Sequence, residues 1–410
     1  MTDIIVASTP VNGHVSPLLT AAADLVRRGH EVTFLTGARF EARVRGAGAR
    51  FAALPEEADY DDQRLDLAFP ERGTLPPGPE QIDFDLKHIF GDPVPAQYGA
   101  LRRLLAEIPA TSVISDNLFL GALSLTLEAE RDSRPTTIAL GIAPPTVPDD
   151  WNRDALAGTQ EHLEKIFASV GTPLPGFILD NLITVPDHYV QLTVPGFEYP
   201  WDGAPVSFQF AGPLPQTQDQ ARPLPDWWSE LSAGRPVVVV TQGTFANSDL
   251  EQLVVPTLRA LADSPVLVVA TTARENGAAE VRELMETVPE NVRLAGYVPF
   301  DRLLPHADVL VTNGGYGGVH MALRHGVPMV VAGATEDKPL VAARVAWSGT
   351  GIDLRTDRPG EDAIRTAAGT VLAEPGFRTR ARELGEEISG FDPLATIAGL
   401  AEGRDAPTAR

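Results

Sequence analysis

One stretch in the second half of the chain limits its possible folds more than any other. The apolar run Val309 to Thr312 predicts a buried strand, and the hexapeptide NGGYGG (313–318) follows it directly. Residues Val319 to His325 then carry a helical pattern, and Pro328 to Ala332 predicts the next strand. A strand, a glycine-rich turn, a helix and a second strand form a βαβ unit, so we expect an α/β fold with a parallel sheet.

The glycine-rich turn at 313–318 allows two interpretations. Glycine lets the backbone approach a ligand closely and adopt positive φ, and the N–H groups at the start of the following helix attract anions. A tight turn without any ligand would need glycine as well. The turn alone therefore leaves open a phosphate-binding site and a purely steric role.

The wider surroundings of this turn resemble the nucleotide-sugar signature of the family 1 glycosyltransferases. The matching elements are GYVP (296–299), NGGYGG (313–318), GVP (326–328) and EDK (336–338), in the family's order and spacing. The resemblance covers nearly the whole chain and is closest to bacterial members that decorate secondary metabolites such as polyketides, macrolides and glycopeptides. It implies an inverting, metal-independent enzyme with the GT-B fold, an α/β architecture of two Rossmann-like doubly wound domains that face a central cleft.

The length of 410 residues is enough for two domains of ordinary size. Leu214 to Pro225, which is rich in Pro, Gln and Asp, is typical of a linker between two βα arrays. We place the acceptor-binding domain at 1–214 and the domain for the nucleotide-sugar donor at 215–385. The resemblance implies that the C-terminal helix, 386–410, crosses back to the N-terminal domain.

Composition excludes several other classes of protein. There is no cysteine, so disulfides, a thiolate nucleophile and a zinc–thiolate site are excluded. A net charge of -22 argues against nucleic acid and anionic membranes as partners. No apolar run reaches transmembrane length, and the first strand begins by Ile4, so neither membrane insertion nor a signal peptide is predicted. We expect a soluble, cytoplasmic protein, either a monomer or a homodimer.

His14 follows the first predicted strand, Ile4 to Ser8, and precedes a helix predicted from Leu18 to Arg28. Ligands of doubly wound folds bind beyond the carboxyl ends of the strands, where this loop would lie. The residues alone leave open a loop histidine that only caps the helix. The segment GHVSP (13–17) resembles the family's G-H-x-x-P element, which implies that His14 is the general base that removes the proton of an acceptor hydroxyl.

Asp116 ends a second short apolar run, which begins at Ser112. In the family an aspartate at this place orients the histidine, so the resemblance implies that Asp116 accepts a hydrogen bond from His14 and stabilises its imidazolium form. The alternative is an ordinary N-cap for the helix predicted around Phe119 to Glu130.

The resemblance implies donor-binding roles for Thr244, Tyr297, Val298, Asn313, Gly315, Tyr316, Gly317, Gly318, Asp337 and Lys338. In the family the aromatic residue stacks on the nucleotide base, and the backbone of the next residue reads the edge of that base. The threonine and the glycine turn hold the diphosphate, whose negative charge grows as the sugar leaves. The acid of the EDK element bonds sugar hydroxyls. No metal site and no cofactor beyond the nucleotide-sugar co-substrate is expected.

Three residues depart from the family pattern. Asn313 stands where a histidine is usual, so more of the diphosphate contact should come from backbone N–H groups and Thr244. Lys338 replaces a glutamine found in plant members, and it either supplies part of the missing charge or faces solvent. Met321 stands where a glutamate grips the ribose hydroxyls, which favours a dTDP-sugar over a UDP-sugar.

The acceptor side is less defined. Apolar and aromatic side chains lie scattered among acids, prolines and glycines, and we select Phe84, Phe90 and Trp151 as acceptor contacts because such side chains suit an apolar molecule. The alternative is that these rings only pack the loops together.

We conclude that the chain is a glycosyltransferase that acts on a hydroxyl of an apolar natural product. Rivals from other classes are an inactive homologue that activates a partner glycosyltransferase and a nucleotide-sugar epimerase. His14 argues against the first and the GHVSP segment against the second. A nicotinamide oxidoreductase would need G-x-G-x-x-G after the first strand, which is absent. The sugar, the acceptor and the choice between an O- and a C-glycosidic bond stay open.

Overall fold

A computed structural model describes residues 1–76, 78–146, 150–215, 223–243, 247 and 249–404, except for the side chains of residues 66 and 150–152. The strands are β1 (Asp3–Ala7), β2 (Glu31–Thr36), β3 (Arg50–Ala53), β4 (Ser112–Asp116), β5 (Thr136–Gly141), β6 (His188–Gln191), β7 (Phe208–Phe210), β8 (Val237–Thr241), β9 (Leu267–Thr271), β10 (Val292–Ala295), β11 (Val309–Thr312), β12 (Met329–Val331) and β13 (Gly351–Asp353).

The α-helices are α1 (Asn12–Arg27), α2 (Glu41–Gly46), α3 (Leu65–Ala68), α4 (Pro79–Phe84), α5 (Val94–Glu107), α6 (Gly121–Glu128), α7 (Asp150–Ala155), α8 (Ala157–Ser169), α9 (Ile178–Thr184), α10 (Val254–Ala260), α11 (Gly277–Leu284), α12 (Phe300–Leu303), α13 (Tyr316–Arg324), α14 (Lys338–Trp347), α15 (Glu361–Ala373), α16 (Pro375–Ser389) and α17 (Pro393–Ala401). A π-helical turn, Asp85–Gly91, continues α4. None of the helices within the described ranges is long and apolar enough to cross a membrane.

The chain divides into two compact units. Unit 1 contains Met1–Leu192, Pro200–Pro215 and the chain from Asp392, and unit 2 contains Thr193–Tyr199 and Gln216–Phe391. The first domain was predicted to end at residue 214, and in the structure this part of unit 1 ends at Pro215. The C-terminal segment was predicted to begin at residue 386, whereas the chain returns to unit 1 at Asp392. The short segment Thr193–Tyr199 belongs to unit 2, although the sequence analysis placed it in the first domain.

Each unit is built around one parallel sheet. The described part of unit 1 has the strand order β3-β2-β1-β4-β5-β6-β7, and that of unit 2 has the order β10-β9-β8-β11-β12-β13. Every adjacent pair is parallel. Both sheets therefore have the doubly wound order, in which the connections reverse direction between two central strands.

The central strands are apolar on both faces because helices cover both. Along β8, Val237 and Val239 belong to one buried cluster, and Val238 and Val240 belong to another. Strand β1 alternates between two clusters in the same way. The continuous apolar runs in the sequence are thus explained by a sheet that is buried on both sides.

Candidate active site

In each unit, some of the predicted functional residues lie at the carboxyl ends of the two strands at which the winding of the sheet reverses: His14 after β1, Asp116 at the end of β4 and the glycine turn after β11. In unit 1 these strands are β1 and β4, and in unit 2 they are β8 and β11. Ligands of doubly wound sheets bind beyond the carboxyl ends of such strands, because the two following connections diverge there and leave a crevice.

His14 lies in the first turn of α1, which corrects the predicted loop. The helix begins at Asn12, six residues before the predicted start, and contains Pro17. Pro17 is the sixth residue of this helix and lacks the N–H that would bond the Gly13 carbonyl, so the helix continues past one missing hydrogen bond. The Asp62 carboxylate accepts the N–H of Asn12 at 2.7 Å and so stabilises this early start.

His14 and Asp116 are in direct contact, although they are 102 residues apart in the sequence. The distance from His14 Nδ1 to Asp116 Oδ1 is 2.9 Å, and the His14 side chain is 13% exposed while that of Asp116 is fully buried. An ionised carboxylate can only accept, so Nδ1 carries the hydrogen and Nε2 carries the lone pair. This tautomer has a basic nitrogen available to an acceptor.

Asp116 is held rigidly at the end of β4. Its carboxylate accepts the backbone N–H groups of Thr9 at 2.8 Å and Leu118 at 3.0 Å, besides the bond from His14. The N-cap of α6 is Leu120, and no side chain caps that helix. The alternative that Asp116 only caps this helix is therefore wrong.

Of the three predicted acceptor contacts, one lies beside His14. The rings of Phe90 and His14 stack, with centroids 5.6 Å apart and an interplanar angle of 26°. Phe84 instead packs edge-on against Phe69, at 6.4 Å. The side chain of Trp151, in α7, lies outside the described residues.

Tyr60 is a residue that the sequence analysis missed. Its hydroxyl is buried and has no hydrogen-bond partner among the described residues. Burial raises the pKa of this phenol well above its usual range, and the nearby carboxylates Asp116, Asp85 and Asp59 raise it further. The hydroxyl is thus held neutral, and no local sequence pattern signals this residue.

In unit 2 the glycine turn and α13 form an anion-binding geometry. Gly314 has φ +85°, and a Cβ there would lie 2.6 Å from a methyl group of Val331, so this position requires glycine. Helix α13 begins at Tyr316, with neither a side-chain cap nor an acidic residue in its first turn. The N–H groups of Tyr316, Gly317 and Gly318, together with the helix dipole, therefore favour a negative ligand.

The side chain of Asn313 has a structural contact. Its amide Nδ2 donates to the backbone carbonyl of Gln242, which links the turn after β11 to the turn after β8. The neighbouring position Thr244, predicted to supply a hydroxyl to the diphosphate, lies outside the described residues.

Tyr316 contributes its backbone to the turn, whereas its side chain is buried in a polar network. The phenol donates to Glu198 Oε1 at 3.1 Å, and the other oxygen of Glu198 accepts from Arg344 of α14. Burial raises the pKa of Glu198, against the opposing effects of Arg344 and Tyr316. Segment Thr193–Tyr199 thus fixes the first turn of α13, a role that the sequence analysis did not predict.

Tyr297 and Val298 follow β10, as the signature predicts. The Tyr297 side chain belongs to the exposed large hydrophobics, at 42%, whereas Val298 is buried at 7%. An exposed ring at this position is suitable for stacking on a base.

Lys338 is buried, at 5% exposure, so the alternative of a solvent-facing lysine is wrong. Its ammonium group pairs with Glu336 and lies 3.5 Å from the Thr335 hydroxyl. Its side chain packs against Gly333, and a Cβ added at Gly333 would lie 2.9 Å from the Cβ of Lys338. Asp337 is the N-cap residue of α14. Lys338 is therefore close to the glycine turn, but Glu336 balances its charge.

Met321 lies within the buried core of unit 2 and is 6% exposed. Its side chain offers no hydrogen-bonding group to a ribose hydroxyl.

Comparisons with known proteins agree with this geometry. Residues 262–398 match the family described as Erythromycin biosynthesis protein CIII-like, C-terminal domain. The chain is 38% identical to 4'-demethylrebeccamycin synthase of Lentzea aerocolonigenes, with 98% of this chain and 99% of that protein covered. It is 36% identical to UDP-glycosyltransferase 2 of Phaeomoniella chlamydospora, with 96% and 94% covered.

Among solved structures, the calicheamicin glycosyltransferase CalG4 matches with a TM-score of 0.77 at 23% identity, over 99% of this chain and 100% of that chain.

Proposed function

The chain belongs to the family 1 glycosyltransferases and has their GT-B fold, and on this premise we propose that it moves a sugar from a nucleoside diphosphate to a hydroxyl of an apolar small molecule, with inversion at the anomeric carbon. The His14–Asp116 contact is the observation that carries this proposal. Relatives named as glycosyltransferases over almost the full chain support an enzyme over an inactive homologue.

In the proposed reaction, His14 Nε2 takes the proton of the acceptor hydroxyl as its oxygen attacks the anomeric carbon. The bond from that carbon to the diphosphate oxygen breaks, and the diphosphate leaves with the electron pair. Attack from the side opposite the leaving group inverts the centre in one displacement. Asp116 stabilises the positive charge that develops on His14, since its buried carboxylate is already fixed by two backbone N–H groups.

On the donor side, the first turn of α13 is proposed to stabilise the leaving diphosphate. Backbone dipoles that are fixed before the reaction need no reorganisation when negative charge develops. Tyr297 would stack on the base, and Asp337 would bond sugar hydroxyls. Gly315 and Gly318 leave room for the phosphates because a Cβ at either position would meet no atom within 4 Å.

The acceptor is proposed to bind along Phe90, beside His14. A flat or apolar molecule would lie against this ring. The other depression on unit 1, lined by charged residues such as Arg39 and Glu56, suits an apolar acceptor less well.

We propose dTDP-sugars as the preferred donors because Met321 offers no group to a ribose 2′-hydroxyl. UDP-sugars are the second candidate, supported by relatives whose names specify UDP-glucose or UDP-sugar transfer. Calorimetric competition between dTDP and UDP tests this point, and tighter binding of UDP would refute the dTDP preference.

The proposed function is tested by measuring transfer from dTDP- and UDP-sugars to a panel of flat phenolic and polycyclic alcohols. We expect His14→Ala to abolish transfer while nucleotide affinity is unchanged, since His14 pairs with Asp116 and stacks on Phe90, whereas the proposed nucleotide contacts belong to unit 2. The matched control is His306→Ala, which alters a histidine of unit 2 beside Trp228. Binding of neither nucleotide, or equal turnover in His14→Ala, would refute the proposal.

A further inference from the structure

A group of three metal-ligating side chains lies on unit 1, apart from the His14–Asp116 pair. His88 is on the π-helical turn Asp85–Gly91, Asp92 follows that turn, and His162 is on α8. His88 Nδ1 lies 2.7 Å from Asp92 Oδ2, and His162 Nε2 lies 2.7 Å from Asp92 Oδ1. The three ligand atoms are all within 4.8 Å of one another. We propose that His88, Asp92 and His162 bind a divalent zinc ion.

The donor set is the reason for choosing zinc. Two imidazole nitrogens and one carboxylate suit Zn²⁺, whereas Mg²⁺ and Ca²⁺ prefer oxygen ligands alone. Tetrahedral zinc with bonds of about 2.0–2.1 Å keeps its ligand atoms about 3.3 Å apart. Small side-chain rotations would bring the three groups to that spacing. The partly exposed cluster leaves a fourth position for water.

The backbone that carries the ligands is fixed independently of any ion. Thr159, one turn before His162 on α8, donates its hydroxyl to Asp83 Oδ1 at 2.5 Å. The Lys87 ammonium donates to the other Asp83 oxygen at 2.6 Å. Gly91 allows α8 to approach the π turn closely, since a Cβ there would lie 2.5 Å from Leu163 Cδ2. A site whose elements are already held together loses less entropy when it binds an ion.

Zinc at this cluster would also act on the acceptor side. Phe90 lies on the same π turn as His88 and stacks on His14. The His88 ring contacts Phe84, with centroids 4.6 Å apart, and Phe84 contacts Phe69. A metal that bridges the π turn and α8 would therefore restrict the ring beside His14. This consequence rests on the proposed function, whereas zinc binding itself does not.

The test uses the full chain without a histidine tag. Zinc is titrated in competition with a chromogenic chelator at pH 7.5, on the wild type and on His88→Gln and His162→Gln. Glutamine keeps a hydrogen-bond donor for Asp92 but is a poor zinc ligand, so both variants should fold. We expect one zinc ion per chain, and an affinity at least about 10- to 100-fold lower in each variant, because loss even of an outer-shell partner has that effect.

The matched control is His325→Gln. His325 also faces a single carboxylate, with Nε2 3.7 Å from Asp301 Oδ1, but the described residues place no third ligand beside this pair. We expect its zinc affinity to equal that of the wild type. Mg²⁺ should not compete, and affinity should fall at lower pH because protons compete for imidazole nitrogen.

A second readout separates this inference from the proposed function. Zinc should raise the Tm of the wild type and of His325→Gln, and EDTA should reverse the rise, whereas His88→Gln and His162→Gln should not respond. These measurements need no substrate. Absence of stoichiometric binding, or equal affinity in the wild type and both variants, would overturn the zinc site even if glycosyl transfer is found.

Discussion

Acidification should destabilise unit 2 through His320, a buried histidine of α13. Its Nδ1 donates to the Tyr316 carbonyl at 2.8 Å, so Nε2 carries the lone pair and accepts the Thr193 hydroxyl at 2.5 Å. The ring also packs edge-on against Tyr316 at 4.3 Å and Phe197 at 4.9 Å. The neutral imidazole therefore has both nitrogens hydrogen-bonded, and within the described ranges no carboxylate pairs with it to stabilise a positive charge.

Burial lowers the pKa of His320 from 6.5 to about 4; the Tyr316 carbonyl opposes this shift, and Arg324 adds to it. Between these two pH values the unfolded chain binds a proton at His320 that the folded chain does not. The stability that the neutral His320 contributes is therefore fully present above about pH 6.5 and is lost as the pH falls towards about 4. At about 1.4 kcal/mol for each pH unit, the loss reaches about 2 kcal/mol at pH 5.

Urea unfolding followed by circular dichroism at several pH values between 7.5 and 5 measures this loss. His320→Gln is the matched variant, because its amide can bond both partners and does not titrate. We expect the difference in unfolding free energy between the two proteins to change by about 2 kcal/mol across this range.

A direct measurement is histidine ¹³Cε1 NMR. The chain has eight histidines, and the resonance absent from His320→Gln identifies the buried one. It should not titrate above about pH 5. A midpoint between 6 and 7, or parallel stability curves for the two proteins, would show that burial does not keep His320 neutral.

Three further tests of the site use five substitutions. Asp116→Asn should lower turnover by about 10²- to 10⁴-fold in steady-state kinetics, with nucleotide affinity unchanged in calorimetry, because the imidazole loses its orienting carboxylate; equal turnover would contradict this. Gly314→Ala should lower the unfolding free energy by about 1–3 kcal/mol in urea, whereas Gly315→Ala, at φ -59° with no atom nearby, should cost less. Lys338→Met should weaken nucleotide binding about tenfold because it removes the cation, and Glu336→Gln should strengthen it because it removes the carboxylate that balances Lys338. Identical calorimetric affinities of the wild type and both variants would refute this role of Lys338.

Much of the fold was predictable because parallel strands leave a local signal. Strands buried on both faces are continuous apolar runs, and the predicted limits of β11 are confirmed. The contact between His14 and Asp116 was implied by the family resemblance and not by the strand pattern. The sheet explains the contact, because His14 follows β1, Asp116 ends β4, and the carboxyl ends of these neighbouring parallel strands meet at one edge.

The helix start at Asn12 could not be read from the sequence, because a carboxylate 50 residues away stabilises it. Glu198 was missed for a similar reason. It lies outside any regular element, and its partners Tyr316 and Arg344 are 118 and 146 residues away. A buried polar network of this kind has no local periodicity, so only the folded structure identifies it.

The glycine turn at 313–318 departs from the family pattern at Asn313, and contacts with residues distant in the sequence accommodate this departure. Asn313 stands where a histidine is usual in the family, so a side chain that can carry positive charge is missing. Its amide donates to the Gln242 carbonyl and joins two turns. Lys338 restores a cation nearby, but Glu336 balances it. His320, one helical turn beyond Tyr316, is held neutral by burial. In the proposed function, negative charge on a leaving diphosphate would therefore be stabilised mainly by the dipoles of α13, and donor binding would depend on the rigidity that Glu198 and Arg344 give to its first turn.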